Sequence, residues 1–289
     1  MSAAVPDLAQ AAAYRHPSAA CYGRALPRLL HAPGWTRWRR ALTRRWPLPA
    51  LVSDVREVIY LSWWIDVRAA PPAPPGHTYV VHQGRTPYTI LSYRHGHFGP
   101  ALAGPLRTLL PSPLQSNWRW YLRREDDPAA TPVVLFDRNT MDQIAYVAGA
   151  RAWSDAMQPH LAARFVHALQ GDGGGSTRID PGQGSAPALR VQWQPAHQWD
   201  DAQWQPAFGT RETLLRFLTC QDEAIARTCD GRWASTRIAL PVDLATLQPL
   251  QLTGTLACPR LQDLGVRLEE GLAFRLPRVA FRVVSERLL

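Results

Sequence analysis

The chain has 289 residues, 46% of them hydrophobic, which suffices for one large domain or two small ones and makes intrinsic disorder a poor default. It contains no lysine, which excludes chemistry through a lysine Schiff base or a lysine-bearing phosphate loop. Its net charge of +9 is concentrated in residues 1–50, where eight arginines face one acid, Asp7, while the other 239 residues carry 24 arginines against 22 acids, too even a balance for a nucleic-acid groove.

Ala and Pro dominate residues 1–33, and a loosely ordered extension is expected there. Trp35, Trp38, Leu42 and Trp46 then recur at i, i+3, i+7 and i+11, with Arg37, Arg40 and Arg44 opposite, which predicts an amphipathic helix ended by Pro47 and Pro49. Two placements fit it. The indoles could sit at an anionic surface with the arginines on phosphates. Alternatively, the tryptophan face packs on the domain behind and the arginines are solvated. The second is expected, with only weak surface attachment, because three exposed indoles would favour aggregation. Residues 1–50 are thus read as an Arg-rich extension and 51–289 as a single β-rich domain.

From residue 55, short β-branched and aromatic runs alternate with turns. They predict strands over Val55–Val67, Tyr79–His82, Tyr88–His95, Asn117–Arg123, Val133–Phe136, Leu189–Trp193, Trp233–Leu240, Leu250–Leu256 and Phe274–Val284. Two helices are predicted, Gln143–Met157 and Glu212–Arg227, the second capped by Thr210. Pro71–Gly76 and Gly171–Ser185 read as loops. Strands outnumber helices without regular alternation, so the fold class is α+β. The expectation is a mainly antiparallel, closed or nearly closed barrel-like core with flanking helices.

The triple glycine at 173–175 opens no helix, so it is read as a linker or hairpin turn and not as a phosphate loop. No G-x-S-x-G elbow or H-E-x-x-H pair occurs. If the third predicted strand runs on, Tyr93, His95 and His97 share one face, and the two imidazoles could act as acid and base or hold a metal; no third ligand is identifiable. Asn117, Arg119 and Tyr121 alternate with Trp118, Trp120 and Leu122. The polar trio faces solvent if the indoles fill the core, and lines a site if the lumen is polar. Asp137 ends the next strand beside them. An arginine between Asn and Tyr could hold a carboxylate in bidentate fashion, though an ordinary ion pair is the commoner use.

Cys21, Cys220, Cys229 and Cys258 match no zinc or C-x-x-C spacing and read as separate thiols in a reducing compartment. No run of about 18 apolar residues predicts a spanning helix, and the N-terminus lacks a secretory pattern. A cytoplasmic protein without cofactor or metal is expected.

Taken together, Arg56–Asp66, Gly84–Arg94, Asn117–Leu122, Val133–Trp153 and Thr213–Arg232 resemble a bacterial family, YqjF-like, grouped with the acetoacetate decarboxylase-like superfamily. The resemblance implies that superfamily's fold and a central cavity. In the decarboxylases a helix opens with Gly-Arg-Glu and is followed by Pro-Lys, whose lysine forms the Schiff base. The similar segment here reads Ala150, Arg151, Ala152 and reaches Met157 and Gln158. Arg151 matches, Ala152 replaces the glutamate and Gln158 the lysine, and an amide cannot condense with a ketone. Two functions remain open. One is a cavity that binds a small organic molecule, a carboxylate held by Arg119 or Arg151. The other is an enzyme using His95, His97 and Tyr93.

Overall fold

The β-branched and aromatic runs form strands because their side chains pack on a pleated surface. In a computed structural model, which describes residues 13–30, 32–45 and 49–289, fourteen strands join one sheet. They are β1 (Leu51–Asp66), β2 (His77–Tyr79), β3 (Arg85–Arg94), β4 (Gly99–Pro100), β5 (Leu114–Arg124), β6 (Val133–Met141), β7 (His160–Leu161), β8 (Arg164–Leu169), β9 (Gly175–Asp180), β10 (Leu189–Pro195), β11 (Glu223–Arg227), β12 (Trp233–Ala239), β13 (Gln248–Ala257) and β14 (Leu272–Leu288). The helices are α1 (Cys21–Leu30), α2 (Pro33–Arg45), α3 (Ile144–Trp153), α4 (Gln205–Phe208), α5 (Arg211–Thr219) and α6 (Pro259–Asp263).

The path β1-β3-β5-β6-β11-β12-β14 returns to β1, giving a barrel-like ring. Its neighbours are antiparallel except β6 and β11. From β14 the sheet continues through β13, β10 and β9 to β8. Both faces of β1, β3 and β5 are buried. On one, Trp63, Tyr88, Trp118 and Trp120 meet Phe165 of β8 and Trp193 of β10. On the other, Tyr60, Tyr93 and Tyr121 meet Phe274 of β14 and Leu214 and Leu218 of α5.

Eight of the nine predicted strands occur, with shifted ends; of the ninth, Tyr79–His82, only Tyr79 lies in a strand, β2. Thr210 caps α5 as expected, its Oγ1 accepting from the Thr213 backbone N–H at 3.1 Å. The predicted helix Glu212–Arg227 is corrected: it stops at Thr219, and Ala224 and Ile225, both fully buried, belong to β11 beside β6. A segment buried on both faces shows neither helical nor alternating periodicity clearly, which explains the miss. The loop expected over 171–185 contains β9. Gly175 opens that strand because a Cβ there would lie 2.7 Å from the Trp193 indole.

The N-terminal expectations change most. Residues 13–30, expected to be loose, pack on the body through Tyr14, His16 and Leu30, all buried. The α2 helix forms, but turned by roughly a quarter turn about its axis from the expected orientation: Thr36, Arg39 and Arg40 point inward, Trp35 is half-buried with its Nε1 donating to the Ala152 carbonyl at 3.1 Å, Trp38 is 52% exposed, and Arg37 and Arg44 are exposed as expected. The cause is a pair of acids beneath the helix. Arg39 Nη2 donates to Asp155 Oδ1 at 2.5 Å, while Arg40 binds Asp155 through Nε (2.9 Å) and Asp230 through Nη1 (2.7 Å). These ion pairs offset the burial of both guanidinium groups, with only the Arg39 Nε left without a partner among the described residues. Trp46 and Pro47 lie outside the described residues. No helix among the described residues is long and apolar enough to cross a membrane.

Candidate functional site

Strand β5 starts at Leu114, so Gln115, Asn117, Arg119 and Tyr121 share the face turned towards α5. All four are buried, as are Tyr60 of β1 and Tyr93 of β3 on the same face. Neither arrangement expected for the trio holds in full: the tryptophans fill one core, and the polar residues are nevertheless buried on the other side. A sheet with layers on both faces makes this possible.

A hydrogen-bonded chain crosses this face. Ser53 Oγ lies 2.9 Å from His95 Nδ1, and His95 Nε2 lies 2.7 Å from Gln115 Oε1. Gln115 Nε2 donates to Asn117 Oδ1 at 2.8 Å, and Asn117 Nδ2 donates to the Tyr93 hydroxyl at 3.0 Å. The amide orientations assign the proton of His95 to Nε2 and make the Ser53 hydroxyl the donor to Nδ1. Each link therefore donates in the same direction, and the chain ends on Tyr93, whose own proton has no acceptor among the described residues. Burial pushes the Tyr93 phenol up, so it remains a donor. Burial also lowers His95 to about 4, against the hydrogen bond to Gln115, and keeps the ring neutral.

Arg119 stands beside this end. Its Nη2 donates to the Leu218 carbonyl of α5 at 2.8 Å, and its guanidinium carbon lies 5.7 Å from the Tyr60 ring centroid and 5.5 Å from that of Tyr121. It is 4% exposed, its Nε has no acceptor, and no carboxylate pairs with it among the described residues. A buried, permanently charged fork without a counter-ion has the chemistry to hold an anion. Tyr121 donates to Thr89 Oγ1 at 2.9 Å, which with Ser62 Oγ (2.8 Å from it) completes the polar wall.

The remaining predicted residues lie elsewhere. A bulge in the β5–β6 pairing leaves Asp137 without a partner opposite. Its carboxylate instead accepts from Tyr88 (2.8 Å) and Arg260 Nε (2.9 Å), on the tryptophan side. Arg151 donates to the carbonyls of Pro159 (2.6 Å) and Gln158 (3.1 Å), in the segment after α3, and lies over the Tyr14 ring. Strand β3 ends at Arg94 and His97 has φ 49°, so the period-two argument that aligned His97 with His95 fails after the strand end. Sequence reasoning missed Tyr60, Ser53 and Gln115. Gln115 was reachable by extending the alternation one step back from Asn117.

A separate cleft of about 460 Å³ opens at the β8–β9 turn, lined among others by Gln170, Asp172, Gln248 and Arg275. It shares no residue with the Arg119 cluster, and one of its lining donors, Arg275 Nε, is buried without a partner. No group of three potential metal ligands occurs among the described residues.

Family models and curated protein sequences yield no match to the chain. Solved structures do. The enduracididine biosynthesis enzyme MppR with HEPES bound aligns at a TM-score of 0.52 and 12% identity over 84% of this chain and 88% of its own. An acetoacetate decarboxylase-like enzyme from Sphingomonas wittichii RW1 aligns at 0.52 and 9%, over 83% and 93%. A structure of acetoacetate decarboxylase aligns at 0.51 and 14%, over 84% and 90%. The chain has the acetoacetate decarboxylase-like fold. Within this fold, Gln158 follows α3, its Oε1 accepting from Arg151 Nη1 at 3.3 Å and its Nε2 donating to the Ser154 carbonyl at 2.5 Å. Identities of 9–14% transfer the architecture and no chemistry.

Proposed function

We propose that the protein binds a small organic carboxylate at the Arg119 cluster and does so without Schiff-base chemistry. The observation that carries this reading is the buried guanidinium of Arg119, which has an unused donor and no counter-ion among the described residues. Tyr93 supplies a second donor, held in place by the chain through Asn117, Gln115 and His95. A carboxylate bound by Arg119 and Tyr93 would neutralise the charge and satisfy both donors. A fold neighbour, MppR, has been solved in complex with pyruvate, and its match here has a TM-score of 0.51 at 12% identity, so it supports the class of ligand only by analogy. Gln158 stands where the resemblance would place the reactive lysine, and the sequence has no other.

Because Arg119 holds the Leu218 carbonyl, a ligand enters only if α5 shifts, and exchange should be slow. Native mass spectrometry of gently purified protein, followed by calorimetric titration with pyruvate and other short carboxylates, tests the reading. Binding is expected for the native chain and is expected to fall at least tenfold in Arg119→Met. No binding by the native chain, or equal binding by the variant, would overturn it.

A second reading, an enzyme using His95, His97 and Tyr93 as acid and base, rests on the contact between the Tyr93 and His95 rings, whose centroids lie 5.1 Å apart. Both ring nitrogens of His95 are already hydrogen bonded to side chains, which favours a positioning role. A cytoplasmic location accords with the free thiols of Cys220, Cys229 and Cys258.

A further inference from the structure

The rotation of α2 brings Trp38 onto the same surface as Arg37 and Arg44. Its outward stripe consists of Gly34, Arg37, Trp38, Ala41, Arg44 and Arg45, all exposed and spaced at three and four residues. Trp38 belongs to an aromatic group with Trp35 (centroids 5.0 Å apart) and Trp153 at the end of α3 (6.2 Å). Trp153 is 36% exposed, and Ile144 at the start of α3 is 44% exposed. Exposed indoles therefore lie beside exposed guanidinium groups on one surface. Arg24 and Arg28 of α1 are exposed as well, and no acid occurs from residue 8 to residue 53. The acids beneath the helix, Asp155 and Asp230, are already bonded to Arg39 and Arg40. Arg37 and Arg44 form no ion pair among the described residues.

We propose that this face docks on an anionic lipid bilayer. Charge complementarity carries the attraction: guanidinium groups pair with headgroup phosphates in bidentate fashion. The indoles decide between a bilayer and another polyanion. Trp38 and Trp153 project with the arginines to the depth where an indole gains from the headgroup–acyl boundary, whereas a duplex backbone offers them no apolar layer. The buried Arg39 and Arg40 clamp presents the face without reorganisation, so docking needs no helix to fold on contact. A basic, indole-bearing stripe of this kind gives reversible attachment to a leaflet rich in acidic lipid.

The test is co-sedimentation of the full chain with phosphatidylglycerol–phosphatidylcholine vesicles and with pure phosphatidylcholine vesicles, at low and at physiological salt. The native chain should pellet with the anionic vesicles and not with the neutral ones. At roughly fivefold per arginine near the surface, Arg37→Gln combined with Arg44→Gln should weaken binding about 25-fold at low salt. Trp38→Ala should reduce it several-fold and diminish the blue shift of indole emission on vesicle addition. Since the three side chains are exposed, unchanged thermal melting verifies that the variants fold. Failure to pellet at low salt, equal binding to neutral vesicles, equal binding by the arginine variant, or tighter binding to duplex DNA than to anionic vesicles would each overturn the proposal.

Discussion

Arg119 and His95 illustrate how single buried groups set function against stability. Arg119 is a charge removed from water among one backbone carbonyl and the rings and hydroxyls of Tyr60 and Tyr121. Replacing such a group by an apolar residue of similar volume is commonly neutral or stabilising. Arg119→Met, measured by urea denaturation without added ligand, should therefore gain roughly 1–2 kcal/mol even as carboxylate binding is lost. A large destabilisation would make Arg119 a structural residue. His95 has the opposite character. Its folded value lies near 4, below the roughly 6.5 of an unfolded chain, so the unfolded state takes the proton first as pH falls. The stability it contributes is complete above about pH 6.5 and drains away towards pH 4, about 3 kcal/mol in all. His95→Gln should flatten the loss between pH 7 and pH 5 by about 2 kcal/mol. Burial lowers His167 as well, so part of the slope will remain. An unchanged slope in His95→Gln would refute the assignment.

Among the elements, α2 depends on ion pairs of unequal depth. Both the Arg40 and Asp155 side chains are 8% exposed, whereas Asp230 is 41% exposed. Removing one partner of a buried pair strands the other charge, which costs about 3 kcal/mol or more. Asp155→Ala should thus destabilise by that amount in urea denaturation, while Asp230→Ala should cost about 1 kcal/mol or less. Equal effects of the two variants would argue against the buried clamp. The helix itself was legible as a period of 3.6 in the sequence, but its orientation was not. Hydrophobicity favoured Trp35 and Trp38 inward, and two acids over a hundred residues away turned the helix so that Arg39 and Arg40 are buried, Trp35 is half-buried and Trp38 is exposed. Strand β11 was hidden for a related reason. Alanine and isoleucine between Glu223 and Arg227 carry no strand signal until β6 and β12 flank them.

The whole molecule joins the fold of a decarboxylase-like enzyme to a sequence without lysine. Sodium borohydride added with pyruvate or acetoacetate should leave no adduct on any internal residue of this chain, because a reducible imine needs a primary amine. Peptide mapping by mass spectrometry checks this, and an internal adduct would refute it. Much of the architecture could be read from the sequence alone. Eight strands, the Thr210 cap and the mainly antiparallel α+β class follow from local patterning, since side-chain alternation and capping act within a few residues. The trio Asn117, Arg119 and Tyr121 also emerged from alternation within one strand. Tertiary structure decided what lies opposite that face: Tyr60 and Tyr93 from other strands, the Leu218 carbonyl from α5, and the chain from Ser53 through His95 that orients them. It also separated Asp137 and Arg151 from the cluster, through a one-residue bulge and through the packing of Tyr14. Composition by itself excluded lysine chemistry. The buried, uncompensated charge that suggests a carboxylate arose only when strands distant in sequence closed into a ring, because counter-ions and solvent are excluded by packing and not by local pattern.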